Sequence, residues 1–230
     1  MAIGDGLDSI RPGLLNNKAI SVKELHRIIL NEPFEVTADH LIAISGVKKP
    51  KLLTLFPDFV MHLNDICPQF GIDTEQEFAH FLAQACHETD HFNTLVEYAS
   101  GKAYEGRKDL GNVVAGDGVR FKGRGVFQTT GRANYKQLGE LRNAPLMFVN
   151  NPVLLEQPKD AIWSACVYWD TRNLNDTSNM PDSTRLKRKI RGVVHDVSPV
   201  EYIGLVINGG FNGMDQRKEF YQRARQAFNI

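Results

Sequence analysis

Residues 74–91 read TEQEFAHFLAQACHETDH. Thr74 followed three residues later by Glu77 is a capping box, a start signal for a helix. Phe78, Phe81, Leu82 and Ala85 then recur at helical spacing, so one face is apolar and buried. Glu88 falls three residues after Ala85 and continues that stripe to the helix end. The last five letters, HETDH, also match H-E-x-x-H, in which two histidines one turn apart hold zinc and the glutamate acts as base. A third ligand must then follow. The long zincin pattern needs Gly at position 94 and His at position 97, but the chain has Thr94 and Glu97. The nearest acidic alternative, Glu105, sits in a Gly-rich stretch without helical period. His87 follows the polar side of the helix. The zinc peptidase reading is therefore the remote one, and neither a metal nor a cofactor is expected.

Outward from this helix, most of the chain is helical in pattern. SVKELHRIIL (21–30) has Ser21 as its cap, and Phe59, Val60, Leu63 and Ile66 form one stripe after Asp58. Residues 134–141, 158–172 and 214–228 have helical character. Residues 173–185 are a polar loop, and YIGLVINGG runs from Tyr202 into a turn. VRFKGRGVFQTT, with its glycines, reads as one or two short strands, which puts a small β element at 118–130. Residues 1–20 are a lead-in. Residues 21–230 are expected to form a single catalytic domain, with a helical part at about 21–73 and a motif-bearing core at about 74–228.

The 230 residues suffice for a sizeable core. Formal net charge is zero, so no nucleic-acid footprint is present. The basic run RLKRKIR (185–191) reads first as a solvated face, with docking to an anionic polymer as the alternative. Three widely spaced cysteines suggest small buried residues, not a disulfide framework or thiolate site. No apolar run is long enough to span a membrane. The start lacks the n- and h-regions of a Sec signal, so synthesis in a cytoplasm is expected.

A glycosidase needs one carboxylic acid beside an apolar surface and one ionised carboxylate across the sugar. Glu88 suits the first role, because desolvation at the end of an apolar stripe disfavours its charged form. Glu97 and Glu105 are open for the second.

Three separated blocks decide further. FLAQACHETDHF (81–92) resembles the catalytic helix of glycoside hydrolase family 19, the family of plant-type chitinases and many phage endolysins, with Asp90 where Gly is common. GRGVFQTTGRANY (123–135) is similar to that family's G-R-G-x-I-Q-L-T-G-R-x-N-Y, with Phe127 for Ile and Thr129 for Leu. INGGFNGMDQR (207–217) is similar to its I-N-G-G-x-N-G block. YEGRKDLGN and GDGVRFKGRG look most like the endolysin branch. The resemblance implies a mainly α, lysozyme-like, two-lobed α+β fold with a small β element.

It also implies an inverting mechanism. Glu88 would be the general acid and Glu97, nine positions on, the base. Glu105 is the reserve base. Inversion calls for carboxyls roughly 6.5–9.5 Å apart, with water between them. Thr130 matches a hydroxyl that holds this water. Gln128, Asn134 and Asn208 match substrate-binding amides, while Tyr135 is core rather than ligand. Arg217 resembles an arginine that pairs with a catalytic Glu, and near Glu97 it would keep the base ionised. His87 supports the helix or orients a carboxylate. The implied substrate is the β-1,4 glycan of peptidoglycan, cut by a monomeric endolysin that reaches the wall after holin-dependent release. Chitin is the alternative substrate, and a catalytically weak glycan-binding module is the non-enzymatic one.

Overall fold

The structure is a computed structural model describing residues 34–230. The expected lead-in and the helix at 21–30 lie outside the described residues. Thirteen elements are named here. They are α1 (Ala38–Ser45), α2 (Lys51–Leu55), α3 (Phe59–Ile66), α4 (Glu75–Glu88), α5 (Asp117–Arg120), α6 (Arg132–Leu141), α7 (Met147–Asn150), α8 (Pro158–Asp170), α9 (Leu174–Ser178), β1 (Leu186–Ile190), β2 (Val193–Val197), α10 (Pro199–Asn208) and α11 (Met214–Phe228).

Helix α4 is the axis of the molecule. Its capping box is formed as expected: Glu77 Oε2 accepts from the Thr74 amide at 2.9 Å and from the Thr74 hydroxyl at 2.8 Å. Every residue from Glu77 to Cys86 is buried, so α4 is enclosed on all sides rather than amphipathic. Helix α11 lies along it, burying Arg217, Phe220, Tyr221, Ala224 and Phe228 at three- and four-residue spacing. On another side, Trp169 of α8 meets Phe81 edge-on at 5.4 Å. A second, smaller core gathers Phe121, Tyr135, Leu138, Phe148, Val149 and Leu155. The two larger cores mark two lobes beside a third, small cluster of Val197, Leu205 and Met214, and the fold is lysozyme-like, as expected. Tyr135 is fully buried, a core residue. The three cysteines are buried thiols.

The β element is not where the sequence suggested. Residues 118–130 hold α5 and two single-residue bridges, Val96 to Arg124 and Arg124 to Thr129. Gly125 (φ 82) and Gln128 (φ 50) turn the chain back too soon for a ladder to grow. The sheet is instead an antiparallel hairpin of β1 and β2, with Leu186 opposite Val197 and Ile190 opposite Val193. Arg191 and Gly192, both with positive φ, make its two-residue turn. The expected polar loop 173–185 contains the short helix α9, whose Asn175 accepts from the Trp169 indole at 2.7 Å.

One core histidine makes stability depend on pH. His80 has no exposed surface and stacks on Tyr221 at 4.2 Å. Burial, helped by the charge of Arg225, depresses its pKa to about 3. The unfolded chain therefore takes up the proton first. The neutral ring's contribution is complete above pH 6.5 and is lost as pH falls toward 3. Urea unfolding should show the wild type losing about 2 kcal/mol more than His80→Gln between pH 7 and pH 5. Parallel stability curves would refute this.

Candidate active site

Helix α4 stops at Glu88, where the Thr89 hydroxyl donates to the Ala85 carbonyl at 2.6 Å. Asp90, His91 and Phe92 then adopt φ of 50°, 61° and 59°. Three consecutive non-glycine residues in this region are costly and persist only when tightly held. Buried Phe92, and His91 Nδ1 donating to the Ser45 carbonyl at 2.8 Å, supply that hold. His87 and His91 therefore do not share a helix face. The Gln216 side chain bridges them, its Oε1 2.7 Å from His87 Nδ1 and its Nε2 3.1 Å from His91 Nε2. Both nitrogens of His91 are thus engaged. Among the described residues, no group of three or more His, Cys, Asp or Glu is arranged to hold a metal. The zincin spelling has lost its helical premise.

Glu88 is met by α11. Arg217, 1% exposed, pairs through Nη2 with Glu88 Oε1 and donates through Nη1 to Gln84 Oε1 at 2.7 Å. Gln84 and Glu88 are one turn apart on α4, so one guanidinium can fork across both. Gly204 of α10 leaves it room, since a Cβ there would stand 3.2 Å from Arg217 Cδ. The expected pairing of Arg217 with Glu97 is corrected: α11 runs along α4, and its guanidinium reaches the end of α4, not the chain beyond.

Glu97 is held by the other lobe. Its Oε1 accepts from the Gly123 amide at 3.0 Å and its Oε2 from the Tyr104 hydroxyl at 2.9 Å. Its own amide donates to the Gly123 carbonyl at 3.0 Å. Burial and the bond to Glu97 both push the Tyr104 phenol up, so it remains a donor. A Cβ on Gly123 would lie 2.8 Å from Gln128 Oε1 and 3.3 Å from Thr130 Oγ1. Glu97, Gln128 and Thr130 are therefore neighbours around one glycine. The Thr130 hydroxyl donates to the Gln128 carbonyl at 2.9 Å, which leaves its lone pairs as acceptors.

Glu105 is used differently. Its two oxygens accept from the amides of Gly116 and Gly118, at 2.7 and 2.8 Å, and so hold the turn that starts α5. Glu105→Gln replaces one acceptor by an NH2 group facing an amide. The expected cost is about 1–3 kcal/mol of stability with turnover within a few-fold of wild type, checked by thermal melts and initial rates. A larger loss of turnover than in Glu97→Gln would make Glu105 the base.

A groove of about 620 Å³ runs between the lobes. Gln128, Thr130, Asn134, Phe127, Tyr168 and Ile207 are among its lining residues; Glu88 and Glu97 lie outside that lining. Gln128 donates through Nε2 to the Gly125 carbonyl at 2.9 Å, while its buried Oε1 has no protein partner. Asn134 donates to the Thr130 carbonyl at 2.7 Å, which points its side chain along the wall. Asn208 follows Ile207, and its amide donates to the carbonyls of Gly210 and Asn212. His87 is not among the groove residues. Burial, then the Arg217 charge, keep its pKa below the ordinary value, and a Cβ on Gly213 would collide with its ring. Sequence reading missed Gln84, Tyr104 and Gly123 as supports of the carboxylates. Gln84 was detectable as the i−4 neighbour of Glu88; Tyr104 was not, because its partner is set by folding.

No family model matches the chain. A curated protein of Haemophilus influenzae, a glycosyl hydrolase family 19 domain-containing protein, is 28% identical over 130 residues. That match covers 55% of this chain, and the chain spans about half the length of that relative, 52%. Among solved structures, chitinase C from Streptomyces griseus superposes with a TM-score of 0.53 at 19% identity, covering 87% of this chain and 95% of that one. A family GH19 class IV chitinase from Zea mays gives a TM-score of 0.49 at 18% identity, covering 85% and 83%. The resemblance to glycoside hydrolase family 19 is thus matched by a relative bearing that family's name and by the shared fold of chitinase C.

Proposed function

We propose that this chain, with its family 19 likeness, is an inverting glycoside hydrolase that cuts β-1,4 links in the glycan of bacterial peptidoglycan. The observation that carries the reading is the convergence of Glu97, Thr130 and Gln128 on Gly123 beside an open interlobe groove, with Glu88 held separately at the end of α4.

In this reading, a sugar bound in the groove presents its glycosidic oxygen to Glu88. Arg217 engages Oε1, so Oε2 is the oxygen from which Glu88 would give its proton. As that proton moves to the leaving oxygen, Glu88 becomes an anion beside a guanidinium already in place, and the developing charge is stabilised without reorganisation. Glu97, fixed by Tyr104 and Gly123, takes a proton from a water that the Thr130 hydroxyl helps to hold. That water attacks the anomeric carbon from the opposite face as the glycosidic bond breaks, which inverts the configuration. The amides of Asn134 and Asn208 offer oxygens to sugar hydroxyls, and Gln128 Oε1 is an acceptor awaiting a donor.

A second reading takes chitin as the substrate. The solved structure with the highest TM-score above is a chitinase, and N-acetyl groups would meet the same groove amides in either polymer. Turbidity loss of purified peptidoglycan and release of chitin oligomers, each with and without chelator, separate the two. Clearing of peptidoglycan that survives chelator, with the α-anomer released first, is the expected result. Release from chitin alone would shift the reading to the second substrate, and loss of activity with chelator would sink both.

A further inference from the structure

The hairpin of β1 and β2 lies outside this chemistry, yet it holds the most concentrated charge in the chain. Residues 185–197 carry five Lys and Arg against one Asp, formally +4, which leaves −4 on the rest of a neutral protein. Strand alternation sorts these groups onto two faces. On the inner face, Leu186 and Val197 pack with Leu205 and Met214. There the Arg188 guanidinium stands 5.3 Å from the Tyr202 ring, and His195 meets Phe211 at 4.9 Å. Tyr202 lies on α10, the helix that delivers Ile207 to the groove, and Phe211 lies on the loop just after it. The hairpin is thereby fastened to the helix that contributes Ile207 to the groove.

The outer face presents Lys187 and Lys189, with Arg191 at the turn, all exposed. Lys187 pairs with Asp196 at 3.6 Å, but both side chains are mostly in water, so the pair binds its cation weakly. Lys189 and Arg191 form no ion pair among the described residues. Arg188 Nε is buried without a hydrogen-bond partner.

We propose that this hairpin is a cationic arm that docks the carboxylates of peptidoglycan stem peptides flanking the glycan strand held in the groove. The proposal rests on the peptidoglycan reading above. Charge complementarity selects the occupant: the arm is tied to α10, which also lines the groove, stem peptides carry carboxylates, and chitin carries none.

The test compares wild type with a variant carrying Lys187→Gln, Lys189→Gln and Arg191→Asn, the last chosen because Asn tolerates the φ of 48° at that position. Co-sedimentation with peptidoglycan freed of phosphate polymers, with the same peptidoglycan stripped of stem peptides, and with chitin gives three affinities. The variant should bind intact peptidoglycan about tenfold more weakly and chitin within about twofold of wild type. Removing the peptides should bring wild type down to the variant, and about 0.5 M salt should erase the difference. Equal losses on chitin, an unchanged affinity for intact peptidoglycan, or a difference seen only on walls that retain phosphate polymers would overturn the arm. Binding is read apart from turnover. A chain that binds through the arm but cuts no peptidoglycan would refute the hydrolase reading alone.

Discussion

Glu88→Gln is expected to lower kcat on the cleaved polymer by about 10³-fold, with KM and thermal midpoint near wild type. The amide keeps the shape of the carboxyl, and its oxygen can still accept from Arg217, so the junction of α4 and α11 stays closed. What is lost is the acid that the proposed mechanism assigns to that helix end. Glu97→Gln should act by a different route. The Gly123 amide and Tyr104 hydroxyl still find one acceptor, but the water is no longer activated, and kcat falls by roughly 10²–10³-fold. The double substitution should cost far less than the product of the two, since both groups serve one transition state. Initial rates on one polymer, with melts on the same samples, make the comparison. An active Glu88→Gln that melts like wild type would remove the acid assignment.

Arg217→Ala should be the most damaging single change to stability. Its guanidinium is buried, and its removal leaves a carboxylate and the Gln84 carbonyl oxygen without their donor. Breaking one half of such a buried pair costs about 3–5 kcal/mol, or roughly a 10 °C drop in Tm for a domain of this size. Arg217→Lys should recover part of the Tm, because an ammonium satisfies one acceptor but cannot fork across two. Turnover should fall in both variants, more than melting explains when assayed below the Tm. A Tm unchanged in Arg217→Ala would show that Glu88 is not held by this residue.

Much of the fold was legible because its causes are local. The Thr74–Glu77 box and the Phe78, Phe81, Leu82 and Ala85 spacing each act within about one helical turn. The hairpin was misplaced because glycine-rich GRGVFQTT carries strand-forming residues, whereas the charged run LKRKI does not look like a strand until its neighbours are known. What makes LKRKI a strand is a partner that buries Leu186 and Ile190, and strand propensity depends on such partners.

For the site, the residues were legible and their partners were not. The sequence alone determined that a carboxyl ends a helix with a buried apolar face, that a second carboxyl follows within nine residues, and that Gln128, Thr130 and Asn134 stand close together. Local spacing is sufficient for each of these. Tertiary structure decided that Arg217 serves Glu88 rather than Glu97, that Glu105 is consumed by two backbone amides, and that Gln216 ties His87 to His91. These partners are separated by between 11 and 129 residues. A hydrogen bond is made or lost over a fraction of an ångström, so its partner depends on how helices pack and which rotamers survive burial, which residue spacing cannot encode.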